Sequence, residues 1–68
     1  MSVNLVCQES KVYVVDPDGF SRGYFETVGN EFVFYEHRFV NSHEWIDLHH
    51  SSYRDFIEGV EAISSIFS

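Results

Sequence analysis

One cysteine, one proline and four basic residues in a chain of 68 close off several routes to stability and function at the outset. The single thiol, Cys7, excludes an internal disulfide and points to a reducing compartment, cytoplasmic or nuclear. Lys11, Arg22, Arg38 and Arg54 face eleven carboxylates, which leaves a net charge of −7 and an electrostatic penalty against polyanionic nucleic acid. No apolar run approaches the roughly 18 residues that a membrane span needs, and no charged-then-apolar leader is visible, so no membrane association is expected. Nor does a linker, repeat or low-complexity tract divide the sequence, and residues 1–68 read as a single domain.

A catalytic constellation is also missing. All four histidines lie in YEHRFVNSHEWIDLHH, with His37, His43, His49 and His50 spaced six, six and one apart. Zinc ligands more often lie two to five residues apart and commonly include several cysteines. His37 and His49 would meet across adjacent strands only if the turn between them set that register, so the histidines read as polar residues at strand ends and no metal is expected. A nucleophilic Cys7 would need a histidine beside it in an electropositive setting. Its strand face, shared with Val3 and Leu5, places it in the core instead. Asp16 and Asp18 belong to turn chemistry, Glu58 and Glu61 to a solvated helix face, and Gly19, Gly23 and Gly29 to hairpins rather than to a phosphate-binding loop. The expectation is a protein that is not an enzyme and carries no cofactor.

What the chain has in abundance is apolar surface. With 44% hydrophobic and 18% aromatic residues it can fold around a core, which excludes the disordered class. A lone core of this size seldom supplies more than about 3–5 kcal/mol, so a second copy of the chain is the expected source of further burial. Alternation over Val3–Cys7 and the β-branched run KVYVV predict strands. DPDG at residues 16–19 predicts a turn, with Pro17 presetting φ and Gly19 accepting a positive value. Phe20–Val28 alternates again, Gly29-Asn30 marks a tight hairpin, and EFVFYEHRFV is apolar on both parities, as in a central or bulged strand. After the turn NSHE, WIDLH places Ile46 and Leu48 on one face and Trp45, Asp47 and His49 on the other.

The last segment changes period. Tyr53, Phe56, Ile57, Val60, Ile63 and Phe67 recur at helical spacing, with Arg54, Asp55, Glu58 and Glu61 opposite them. Ser52 with Asp55 resembles a capping box, and Gly59 costs the helix about 1 kcal/mol unless something packs closely there. The fold class predicted is α+β: an antiparallel meander of four or five strands followed by one C-terminal amphipathic helix packed on the sheet. So few strands do not readily cover Tyr53, Phe56, Val60 and Phe67 together, so a homodimer is expected through the helix, the sheet edge, or both, with these four as its candidate interface.

Two stretches, YFETVGNEFVFYEHRF and IDLHHSSYRDFIEGVEAI, together resemble the transcriptional coactivator family known as positive cofactor four over residues 24–63. Ile46 and Leu48 match its last strand, Tyr53 the aromatic that opens its helix, and Phe56, Val60 and Ile63 the helix itself. The resemblance implies a curved antiparallel sheet followed by one helix, dimerisation through helix and sheet edges, and binding of single-stranded DNA. On that reading Lys11, Arg22 and Arg38 contact phosphates while Tyr24, Tyr35 and Trp45 stack on bases. Where the family carries lysines and arginines, this chain has Glu31, Glu36, His43 and Glu44. Charge therefore favours another partner, the basic surface of a protein. Glu26, Glu31, Glu36, Glu44, Asp47, Asp55, Glu58 and Glu61 would meet it, as in a small regulator or nucleic-acid-mimicking inhibitor of the kind viruses use.

Overall fold

The computed structural model describes residues 3–67. Five strands follow one another, β1 Asn4–Gln8, β2 Lys11–Val15, β3 Ser21–Val28, β4 Glu31–Phe39 and β5 Trp45–Tyr53, and α1 Phe56–Phe67 ends the chain. Each strand pairs antiparallel with the next, so the sheet order is the chain order, β1-β2-β3-β4-β5. The predicted α+β meander with a helix on one face is the observed architecture.

The hairpins explain why the strands stop where they do. The Asp16 amide donates to the Phe20 carbonyl at 2.9 Å, the Gly19 amide donates to the Asp16 carbonyl, and Gly19 takes φ of 92°, as the DPDG turn requires. Gly29 supplies φ of 61° in the two-residue link between β3 and β4. In the β4–β5 turn the Asn41 side chain accepts the amides of His43 and Glu44 at 2.8 and 3.0 Å. The β1–β2 link uses Glu9 at φ of 56°, a left-handed value without glycine's freedom.

Alternation then sorts the side chains. Val12 and Val14, Phe25, and Phe32 and Phe34 share the helix side, where Val14, Phe25, Phe34 and Ile63 form the buried cluster. Burying each such side chain contributes about 1.5–3 kcal/mol. Two glycines let the backbone close on this cluster. A Cβ on Gly23 would overlap the Tyr35 carbonyl oxygen and approach Phe34 Cζ at 2.7 Å; one on Gly59 would lie 3.0 Å from Tyr53 Cδ2 and 3.1 Å from Phe25 Cε1. Gly59 is thus the helix's seat on the sheet, which accounts for its place in a helical segment.

Two expectations are corrected. Ser52 and Tyr53 belong to β5 and not to the helix start; Asp55 caps the helix, its Oδ1 accepting the Ile57 amide at 3.0 Å. Cys7 is exposed, because β1 is an edge strand that the helix does not reach. Tyr53, Phe56, Val60 and Phe67 pack against the chain's own core and are partly buried by it. The twelve-residue helix spans enough of the sheet to seat all four.

Replacing Gly59 by leucine will destabilise the fold by about 1–3 kcal/mol in urea unfolding, whereas alanine will be near neutral because its helix preference offsets the tight ring contact. Glu9→Gly will stabilise by about 0.5–1 kcal/mol, through relief of the left-handed conformation. An unchanged midpoint for the glycine variant would contradict the strain assigned to that turn.

Candidate binding surface

The sheet face turned away from the helix is lined with rings. Val6, Tyr13, Tyr24, Tyr35 and His49 are successive cross-strand partners, one from each strand, so they form a single row across the sheet. Tyr13 meets Tyr24 edge-on with centroids 5.5 Å apart, Tyr24 and Tyr35 lie at 5.4 Å, and His49 stands edge-on to Tyr35 at 6.2 Å. In the neighbouring row His37 pairs with Asp47, Nδ1 to Oδ1 at 2.6 Å, and its ring lies 6.0 Å from Tyr24 and 6.4 Å from Trp45. Trp45 continues to Phe39 at 6.3 Å. Among the described residues no element lies over this face, yet Tyr24 is only 9% exposed; its neighbours' side chains enclose it laterally. Trp45, at the margin, is 57% exposed.

The charge on this face is mixed but predominantly negative. Glu26, Glu31 and Asp47 alternate onto it together with Lys11, whose ammonium sits 4.7 Å from the centre of the Tyr24 ring. Burial first, and then the Asp47 and Glu26 carboxylates, push the Tyr24 phenol above its ordinary range, so it remains a neutral hydrogen-bond donor at physiological pH.

The eight acidic candidates do not form one patch. Glu36 lies on the helix side of the sheet, opposite Leu48 and 3.4 Å from Arg38; Glu44 accepts from Asn41 in the β4–β5 turn at 3.0 Å; Asp55 caps the helix; Glu58 and Glu61 are exposed along it. The three cations named for phosphate contact are separated as well. Lys11 is on the ring face, Arg38 faces Ile46 on the helix side, and Arg22 Nε donates to Asp16 Oδ2 at 2.7 Å. Of the aromatic candidates, Tyr24, Tyr35 and Trp45 do share the ring face. Tyr13, which sequence reasoning did not single out, and His37, which it read as a polar residue at a strand end, complete it. The two-residue Gly29-Asn30 link already pairs Tyr24 with Tyr35, but Tyr13 enters the row only through the irregularity beside Val14 and Val15.

The histidines do not converge. His37 faces Asp47 rather than His49, the His43 amide binds the turn asparagine, and His49 and His50 approach Ser52 and Ser51 at 3.1 and 2.9 Å. Among the described residues no group of three histidine, cysteine or carboxylate side chains is placed to hold a metal ion. No described helix is long and apolar enough to cross a membrane. Comparison with protein-family models, with curated proteins and with solved structures finds no match.

Among the described residues Asp16 is the buried charge. Its Oδ1 accepts the Asp18 and Phe20 amides at 3.0 and 2.9 Å and its Oδ2 accepts from Arg22, which holds the carboxyl below the ordinary value, the Phe20 amide contributing most. A folded value below the unfolded 3.8 means that its stabilisation is complete above that pH and is lost as pH falls through the folded value. Asp16→Asn will therefore be less stable than wild type near neutrality, and the gap in urea midpoint will narrow as the solution is acidified. A gap independent of pH would show that the charge is not what the turn uses.

Proposed function

We propose that this protein is a small acidic, non-enzymatic regulator that binds a basic segment of a protein partner on the ring face of its sheet. The observation that carries this reading is the Lys11 ammonium over Tyr24: a row of rings bordered by Glu26, Glu31 and Asp47 already holds one cation by its π-face. Lysine and arginine side chains of a partner meet the same chemistry there, with ring faces below and carboxylates at the border. The net charge of −7 attracts such a segment from a distance and raises its rate of encounter. Exposed Trp45 adds a large, rigid contact of the kind that dominates binding energy at interfaces.

The alternative is the single-stranded nucleic-acid cofactor that the positive cofactor four resemblance implies. Its support is the same row of rings, since any base stacks on an aromatic face. Against it stands the separation of Arg22 and Arg38 from Lys11.

Trp45 is the sole tryptophan and reports on this face directly. Titration with an oligo-arginine peptide will change its fluorescence, and the double variant Glu26→Gln, Asp47→Asn will weaken binding about tenfold, equivalent to about 1.4 kcal/mol. Oligothymidine will leave the signal unchanged at low salt. The opposite pattern, oligothymidine binding that falls steeply with salt and no response to the peptide, would replace this reading with the alternative.

A further inference from the structure

The sheet ends in two open edges, β1 and β5. Natural edge strands are usually short or guarded by proline, lysine or inward charge. The outer half of β5 has few of these guards: Trp45–Tyr53 runs nine residues without proline, lysine or arginine, and its one charged residue is Asp47. Ile46 and Leu48 there are apolar and uncovered on the helix side, 48% and 41% exposed, while exposed Trp45 lies on the ring side with Asp47 and His49. The helix packs near the other end of the strand, over Tyr53. The outer half of β5 is thus a row of unpaired backbone groups flanked by hydrophobic side chains.

We propose that two copies of this chain pair their β5 strands antiparallel about a two-fold axis at Leu48, so that one sheet runs through both. Facing residues in an antiparallel pair share a sheet face while neighbours along a strand alternate, so a two-fold axis perpendicular to the sheet must pass through a single residue position. The irregularity opposite Phe34 and Tyr35 ends the regular stretch of β5 at His49, which leaves Ile46, Asp47 and Leu48 as central positions. An axis at Asp47 sets that carboxylate against its own copy, which is destabilising. An axis at Ile46 sets Trp45 against Asp47 and Leu48 against Glu44. At Leu48, Asp47 faces His49 of the second copy, and this happens twice by symmetry, while the two Leu48 side chains meet directly.

The Asp47–His49 pairing thus selects one register, and that register joins the two Leu48 side chains on the helix side, with Ile46 beside each along its own strand and facing His50 of the second copy. The β1 edge offers no such selection, since Asn4–Gln8 contains no charged residue. Pairing β1 with β5 would be head-to-tail and would propagate into a filament instead of closing. The ring row of the proposed function, Tyr13, Tyr24 and Tyr35, stays open in this dimer, because edge pairing adds strands beside the face and nothing above it, while Asp47 and Trp45 at its margin come to lie beside the seam.

Light scattering of the wild-type chain at tens of micromolar will give a dimeric mass, and Leu48→Lys, which places a charge on the edge, will give a monomeric mass with an unchanged far-ultraviolet spectrum. In a Cys7→Ser background, Leu48→Cys will cross-link under mild oxidation faster than Ile46→Cys, Asp47→Cys or Val6→Cys, because only the residue on the axis meets itself. A monomeric wild type, or cross-linking led by any of the other three positions, overturns the proposal.

Discussion

Phe25 and Phe34 face each other on the two central strands with ring centroids 5.0 Å apart, and Ile63 closes over them with nothing of its own left exposed. This contact joins the sheet to the helix. Phe56 reaches the same rings from the first turn of α1, at 5.5 Å from Phe25, and Phe67 from its last, at 6.1 Å from Phe34. The rings can be approached so closely because Gly59 and Gly23 carry no side chain where one would strike Tyr53, Phe25 or the Tyr35 carbonyl. In a chain with so small a core, the aromatic pair and the two glycines act as a unit. The residues that look surplus in the helical stripe are occupied in holding it.

The same pairing dictates the other face. Strand side chains alternate, so fixing Phe25 opposite Phe34 on the helix side also fixes Tyr24 opposite Tyr35 on the reverse. With one helix and five strands the chain can cover only one face. The tyrosine row is therefore left to protect itself by mutual packing, with Lys11, His37 and Asp47 filling the gaps between rings. A surface of packed rings and carboxylates is rigid before any partner arrives, which lowers the entropic cost of binding on it. The open face and the open β5 edge are different surfaces with different chemistry, one suited to cations and the other to backbone pairing.

Much of the fold was legible in the residues. The change of period after Tyr53, the DPDG and Gly29-Asn30 links and the double-sided apolar start of EFVFYEHRFV gave the meander, the helix and the central strand. Local signals failed where a neighbour along the chain was mistaken for a neighbour in space. Ser52 looks like a helix cap because it lies three residues before an acid, but β4 holds it in β5 and Asp55 takes the cap. Cys7 has apolar company along its strand, but an edge position denies it cover. Net charge suggests one acidic surface, but the strands and helix distribute the acidic candidates over several.

Composition and spacing were enough to establish a negatively charged α+β chain with an aromatic core, because hydrophobic period and turn chemistry act between residues close in sequence. Which rings meet, and which charges share a face with them, depended on strand register. The irregularities beside Val14 and Val15 and opposite Phe34 and Tyr35 each shift the pairing by one residue. A shift of one residue changes every partner beyond it, and nothing local to those positions announces it. The row of Tyr13, Tyr24, Tyr35 and His49, and the exposed outer half of β5, are consequences of that long-range pairing.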